Sequence, residues 1–341
     1  MSEEFIHNEP SLENYWRGII LFGRNVASYK FALAKSLIEL QPQSGQLLKL
    51  SDLAPSFANQ IAEHLRHSPK QITSPSSKFL DAVKTHAIVT PNQNRLIEET
   101  VKLGFNNVID AFHIVGNGEI PKRFYIDEIK RNNGIRITDE FSALVERFQY
   151  INLSKEVESR WNLVETAWEL GVSSNLLEVQ YDHKNEVLFS FNKENRRKDV
   201  TSSRGALNGY QKGKCFYCFK QININNGKET EVDHFFPYTL EKDKSFRNIN
   251  GVWNLVLACE TCNAGEGGKH TNIPSLKLLS RLSKRNNYLI SSHHPLRETI
   301  LRQTGQSELE RRAFLQDFYN RAKNTLFHTW EPKPNDKEEC F

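Results

Sequence analysis

Two pairs of cysteines constrain this chain more than any other feature of its sequence. Cys215 and Cys218 are separated by two residues, as are Cys259 and Cys262, and 40 residues lie between the pairs. Two intervening residues let a tight turn direct both thiols at one ion, and two such turns supply the four ligands of a structural zinc site. The sequence therefore predicts a Zn²⁺ ion with four sulfur ligands that stabilises a small module around an inserted segment.

The composition of the chain is that of a globular protein. With 341 residues, 38% hydrophobic and 25% charged, two domains are expected. No apolar run reaches the length of a membrane span, and the acidic start lacks the basic and apolar regions of a secretory signal. We therefore expect a cytoplasmic protein with no membrane partner, in which a disulfide framework is not favoured.

The patterns along the chain predict an α+β fold that is predominantly α. Apolar residues recur at helical spacing in the N-terminal half and again near the C-terminus, whereas two alternating runs around residue 183 read as a hairpin. The predicted organisation is a mainly helical domain (1–175), a β-hairpin and basic linker (176–199), the zinc module (200–275), C-terminal helices packing on that module (276–330) and a disordered tail (331–341).

The segment inserted between the cysteine pairs carries residues suited to hydrolysis. It contains the string EVDHFFP with Asp233 and His234, then WNLVLA with Asn254, and Asn263 directly follows the last cysteine. A histidine can accept a proton near neutral pH, and carboxylate and amide oxygens bind hard cations. An Asp–His pair alone would more often be an ordinary hydrogen-bonded loop, so the interpretation depends on the whole string.

That ordered string, CxxC, VDHFFP, NLVLAC, CxxCN and then Gly-Gly-Lys, resembles the HNH endonuclease family. The similarity is to the branch whose ββα-metal motif is held by a four-cysteine zinc site. The resemblance implies that His234 is the general base and that Asn254 pins the loop carrying it. It implies that Asp233 and Asn263 hold a catalytic Mg²⁺ or Mn²⁺, with Asn263 standing where other members have histidine.

The resemblance also implies a function: hydrolysis of phosphodiester bonds in DNA, in the setting of bacterial restriction or phage defence. The N-terminal helical domain would then recognise a target or a protein partner. Two alternatives stay open at this stage. One is a zinc-stabilised module that binds nucleic acid without catalysis, and the other is an RNA-directed nuclease. The joint presence of base, loop-pinning amide and cation ligands favours the enzyme, and no aromatic RNA-recognition motif is visible.

Basic residues concentrate on both sides of the candidate module. Residues 193–220 contain eight basic and two acidic residues, and residues 267–303 contain seven basic residues and one acidic residue. We predict nucleic-acid contacts for Arg196, Arg197, Lys198 and Lys269, against the alternative of solvated helix faces. Glu231, on the same strand face as Asp233, and His270 are further candidates for the metal site.

Overall fold

The computed structural model describes residues 10–23, 26–116, 118–147, 150–170, 179–182, 184–191, 197–224, 229–243 and 245–333. The fold is α+β and predominantly α, as the sequence predicts. The chain divides into two compact units, Met1–Tyr150 and Ile151–Phe341. This division falls at the start of a long helix, Tyr150–Leu170, whereas the sequence placed the end of the helical domain at residue 175.

The first unit consists of short helices and two small sheets. Its elements are α1 (Leu12–Phe22), α2 (Tyr29–Leu40), β1 (Leu47–Lys49), α3 (Leu50–His67), α4 (Lys78–Val83), α5 (Gln93–Glu99), β2 (Ile114–Val115), β3 (Gly118–Glu119), β4 (Tyr125–Asp127), α6 (Ile129–Asn132), β5 (Gly134–Ile137) and α7 (Asp139–Val145). β1, β5 and β4 form an antiparallel sheet in that order, and β2 pairs with β3. The strands are too short for sequence alternation to identify them.

Aromatic side chains form several of the contacts in the core of the first unit. The indole of Trp16 on α1 meets the rings of Phe112 and Phe124 edge to face, at 5.8 and 5.2 Å between centroids. The ring of Phe57 on α3 stacks on that of Phe79 on α4 at 5.7 Å. Aromatic side chains bury large areas in preferred geometries, so these contacts help to hold the helices of the unit together.

The second unit contains the zinc module and the C-terminal helices. Its elements are α8 (Tyr150–Leu170), β6 (Gln180–Asp182), β7 (Val187–Phe191), β8 (Arg197–Ser202), α9 (Ser203–Gln211), β9 (Glu231–His234), β10 (Leu255–Ala258), α10 (Glu260–Asn263), β11 (Ile273–Pro274), α11 (Leu276–Ser291), α12 (Arg297–Thr304), α13 (Glu308–Thr325) and β12 (Thr329–Trp330). The predicted hairpin corresponds to β6 and β7. The basic segment enters a third strand, β8, at Arg197, where charged residues gave no strand pattern.

β9, β10 and α10 form a ββα unit that carries the inserted motifs. β9 pairs antiparallel with β10, with His234 opposite Leu255 and Asp233 opposite Val256. The one-turn helix α10 follows directly and contains Cys262 and Asn263. Every residue of β10 is buried, which explains its continuous apolar sequence LVLA.

Helix α11 fixes two parts of this unit through buried arginines. The Arg281 guanidinium donates hydrogen bonds to the carbonyls of Phe216 and Tyr217, at 2.6 and 2.9 Å. That of Arg285 donates to the carbonyl of Trp253 at 2.9 Å. The first cysteine turn and the segment before Asn254 are therefore both anchored to one helix.

Within the described ranges, no helix combines the length and hydrophobicity needed to span a bilayer. Most of the predicted disordered tail, residues 334–341, lies outside those ranges.

Candidate active site and zinc centre

The four predicted zinc ligands converge in the structure. Sulfur atoms of Cys215, Cys218, Cys259 and Cys262 all lie within 4.8 Å of one another, and none forms a disulfide. The sulfurs of Cys218 and Cys259 are 3.8 Å apart. Zn–S bonds of about 2.3 Å in a tetrahedron require sulfurs about 3.8 Å apart, so the cluster fits a zinc ion.

Electrostatics at the cluster favour thiolates at two of the four positions. Hydrogen bonds with neighbouring thiols, first of all that of Cys215, lower the pKa of Cys218. A hydrogen bond with Cys215 also lowers the pKa of Cys259, to about 6. Hydrogen bonds with neighbouring thiols raise the pKa values of Cys215 and Cys262, so the four thiols titrate as one coupled cluster.

A cleft at the end of β9 collects the predicted catalytic residues. Its volume is about 180 Å³, and Asp233, His234, Asn263, Lys269 and His270 are among the residues that line it. Adjacent strand residues ordinarily face opposite ways. Here β9 ends at His234 and the chain bends over residues 235 and 236, so both Asp233 and His234 reach the same cleft.

The carboxylate of Asp233 is 6% exposed and has two internal partners. The Tyr217 hydroxyl donates to its Oδ2 at 2.6 Å, and the Lys269 ammonium lies 3.2 Å from its Oδ1. Burial raises the pKa of Asp233, and the charge of Lys269 opposes that shift. The carboxylate of Asp233, the predicted cation ligand, is therefore held in place by a phenol and an ammonium.

The imidazole of His234 is 3% exposed and is oriented by a side chain that the sequence did not single out. Its Nε2 lies 2.8 Å from Oδ1 of Asn250. The Asn250 amide nitrogen in turn donates to Glu241 Oε1 at 3.0 Å. The His234 ring also packs against the rings of Tyr181 and Tyr238, at 5.6 and 5.5 Å.

Asn254 closes the loop that follows His234. Its Oδ1 accepts a hydrogen bond from the amide of Phe236 at 2.8 Å, and its Nδ2 donates to the carbonyls of Phe236 and Ile249 at 3.0 and 2.9 Å. The side chain is fully buried. Asn254 therefore joins three backbone groups and does not line the cleft, which matches a loop-pinning geometry.

Asn263 faces the cleft and bonds Glu231. Its amide nitrogen donates to Oε2 of Glu231 at 2.6 Å, so the carboxylate of Glu231 lies next to a predicted cation ligand. His270, the other candidate, is exposed and its Nε2 lies 3.0 Å from the carbonyl of Gly265. Glu231 therefore contacts one of the predicted metal ligands directly, which its spacing from Asp233 in the sequence did not indicate.

Lys269 is 1% exposed, and its ammonium also donates to the carbonyls of His234 and His270 at 3.0 and 3.2 Å. These internal bonds favour a role in holding the cleft together over the predicted contact with phosphate. Arg281 and Arg285 are buried as well, so three of the seven basic residues counted in 267–303 point inward. A charge count along the sequence cannot distinguish such residues from surface ones.

Two of the other predicted nucleic-acid contacts lie beside β7. Arg197 and Lys198 occupy β8, opposite Phe191 and Ser190, and Arg196 lies outside the described residues. Sequence reasoning missed Tyr217, Asn250 and Glu241. The position of Tyr217 between Cys215 and Cys218 could have indicated it, whereas nothing in the sequence marks Asn250 or Glu241.

The zinc cluster, the ββα unit and the cleft together define a zinc-stabilised module of the kind that nucleases use. Residues 215–274 match the family model described as HNH endonuclease. This segment is therefore similar to HNH endonucleases, and the match supports nuclease activity on a nucleic-acid substrate. Searches of curated proteins and of solved structures gave no match.

Proposed function

We propose that the protein is a metal-dependent HNH endonuclease that hydrolyses phosphodiester bonds in DNA. The observation that carries the proposal is the cleft at the end of β9, where His234, Asp233 and Asn263 lie together behind a loop fixed by Asn254. Phosphodiester hydrolysis needs a group that accepts the proton of water and a positive charge near the phosphate. The cleft offers a residue of the right chemistry for each task.

The donor groups in the cleft fit Mg²⁺ or Mn²⁺. They are the carboxylate of Asp233 and the amide of Asn263, with the carboxylate of Glu231 beside it. Oxygen ligands of this type suit hard cations, and Mg²⁺ usually takes one or two carboxylates while water and substrate phosphate complete its shell. The ammonium of Lys269 stays within 3.2 Å of Asp233 and shares its negative charge. A cation bound here stabilises negative charge on the phosphate as hydrolysis proceeds.

In the proposed reaction, His234 accepts a proton from a water molecule as the water oxygen bonds to phosphorus. The bond from phosphorus to the leaving oxygen then breaks, and that oxygen takes a proton from solvent. Asn254 holds the backbone of residue 236 and so limits the movement of His234 relative to the phosphate. Tyr217 and Lys269 keep Asp233 oriented towards the cleft.

The broader setting that we propose is bacterial restriction or phage defence in the cytoplasm, on the strength of the sequence resemblance. In that setting the first unit would recognise a target or a protein partner. Plating phage on cells that express the wild-type chain or the His234→Ala variant tests it, because defence should be lost with cleavage.

The direct test is incubation of the zinc-loaded protein with supercoiled plasmid, with and without Mg²⁺ or Mn²⁺. Wild type should nick or linearise the plasmid only with the cation. His234→Ala should keep its fold and its zinc but cut about 10²–10⁴-fold more slowly, the usual contribution of a positioned base. Asp233→Asn and Asn263→Ala should instead recover part of the rate at high Mn²⁺.

A single-stranded RNA substrate run in parallel separates the remaining possibilities. Cleavage of RNA alone would replace DNA by RNA as the substrate. Tight, salt-dependent DNA binding without cleavage under any cation would identify a binding module and refute the proposal. Wild-type cleavage by His234→Ala would place the base elsewhere, with His270 the next residue to test because it lines the same cleft.

A further inference from the structure

Behind His234 lies a chain of hydrogen bonds that the mechanism above does not use. His234 Nε2 is 2.8 Å from Asn250 Oδ1, and Asn250 Nδ2 donates to Glu241 Oε1 at 3.0 Å. Glu241 belongs to the 3-10 turn Tyr238–Lys242, which follows the strand end at His234, and Tyr238 also forms a hydrogen bond with it. The three side chains therefore lie in a row that leads from the cleft towards the surface.

The chemistry of this row determines which ring nitrogen of His234 carries the proton. A carboxylate only accepts hydrogen bonds, so Glu241 binds the NH₂ end of the Asn250 amide. The opposite end, Oδ1, then faces His234 and can only accept. A flipped amide would place its oxygen against the carboxylate and lose the bond to Glu241. Nε2 of His234 must therefore be the protonated nitrogen, and the lone pair lies on Nδ1.

We propose that Glu241 and Asn250 are positioning residues that hold His234 in the Nε2–H tautomer and so present Nδ1 as the proton acceptor. This proposal rests on the proposed role of His234 as the general base. When Nδ1 takes the proton from water, the ring becomes an imidazolium and its Nε2–H bond to Asn250 strengthens. The Asn250 amide is then polarised between the imidazolium and the Glu241 carboxylate, which stabilises the positive charge.

The tautomer can be measured without any nuclease activity. Long-range ¹H–¹⁵N spectra of full-length, zinc-loaded protein with ¹⁵N-labelled histidine separate the two neutral forms, and comparison with His234→Gln assigns the signal. Wild type should show His234 as Nε2–H at pH 8.5 without added Mg²⁺. Asn250→Ala should give a mixture of both tautomers. Glu241→Gln should also give a mixture, because a glutamine can donate and the Asn250 amide is then free to flip.

Kinetics on plasmid give the second readout. Asn250→Ala should lower kcat by about 10–10²-fold, less than loss of the base itself, with little change in KM because the phosphate contacts are untouched. Glu241→Gln should lower kcat by a smaller factor in the same sense. Glu266→Gln removes one exposed carboxylate from the same module and should match wild type in both readouts.

The variant Asn250→Asp separates positioning from simple structural support. An aspartate still accepts from Nε2–H, so Asn250→Asp should keep the Nε2–H form in the ¹⁵N spectrum, whereas Asn250→Ala should not. The other groups around His234 are unchanged in this variant, namely the neighbouring Asp233, Lys269 on its carbonyl and the rings of Tyr181 and Tyr238.

The outcomes distinguish this proposal from the proposed function. If wild type cuts no nucleic acid but Asn250→Ala changes the tautomer, the proposed function fails while the positioning of His234 by Asn250 and Glu241 stands. If wild type cuts and both Asn250→Ala and Glu241→Gln keep the Nε2–H form, the proposed positioning role of these two residues is wrong. A changed tautomer with an unchanged kcat would also overturn it. If Asn250→Ala does not fold, Glu241→Gln still distinguishes these outcomes, because the side chain of Glu241 is exposed and contributes little to the core.

Discussion

Replacing Lys269 by methionine tests whether the buried ion pair holds the cleft together. Methionine keeps most of the volume of the lysine stem but removes the ammonium that lies 3.2 Å from Asp233. Both side chains are almost fully buried, so the carboxylate of Asp233 would lose its compensating charge in a poorly solvated place. Breaking a buried pair from one side costs about 3–5 kcal/mol of unfolding free energy, and we expect that loss at pH 7.

The same reasoning predicts how the loss depends on pH. Burial already raises the pKa of Asp233, and removal of Lys269 should raise it further. A carboxyl group whose folded pKa lies above its unfolded value destabilises the fold as pH rises from the unfolded pKa to the folded one. The deficit of Lys269→Met should therefore be small near pH 4 and complete at pH 7.

Urea unfolding followed by tryptophan fluorescence measures this, with zinc bound and no other cation added. The double variant Asp233→Asn/Lys269→Met removes both charges and should be about 2 kcal/mol more stable than Lys269→Met alone. Lys284→Met, an exposed lysine of α11, should stay within about 0.5 kcal/mol of wild type. Equal stability of Lys269→Met and wild type across this pH range would refute the argument that the pair is buried and coupled.

Three further predictions concern other parts of the chain. Cys262→Ser should abolish the binding of about one equivalent of zinc and unfold the module, as elemental analysis and circular dichroism would show; a folded, zinc-free variant would contradict this. Burial, reinforced by a nearby arginine, lowers the pKa of His113 to about 3. The unfolded pKa is higher, near 6.5, so stability should fall by up to about 1.4 kcal/mol per unit as pH drops below 6.5, and urea midpoints of His113→Gln should lack that part of the fall. Joint replacement of Arg196, Arg197 and Lys198 by alanine should reduce the salt dependence of DNA binding, by up to about 0.9 in log–log slope for each phosphate that these side chains neutralise, and an unchanged slope would show that they only face solvent.

The parts of the site that sequence could predict are those in which chemistry forces spacing. Two residues between thiols suit a tight metal-binding turn, and the four cysteines do converge. The order of the remaining motifs indicated the HNH module, which the family model matches over residues 215–274. In both cases the constraint acts between residues that are close in sequence or in a fixed order.

The parts that sequence could not predict depend on which side chains face each other after folding. Lys269 and Arg281 look like surface charges in a sequence, yet both are buried and bond internal oxygens. Asn250 acts on His234 across 16 residues through a turn whose geometry has no sequence signature. Similarly, apolar residues recur at helical spacing over residues 12–41, but this segment contains two helices, of which α1 ends at Phe22 and α2 begins at Tyr29.

One edge of β10 is hydrogen-bonded by a side chain from α9. Gln211, at the end of α9, accepts a hydrogen bond from the amide of Leu257 and donates one to its carbonyl, at 2.9 and 2.8 Å. The side-chain amide, together with the amide of Phe216 that donates to the same carbonyl at 2.9 Å, thus occupies the place of a third strand at this apolar edge. A recombinant nuclease module that begins after Gln211 would leave the amide of Leu257 without this partner, and we expect it to self-associate more than a module that begins before α9.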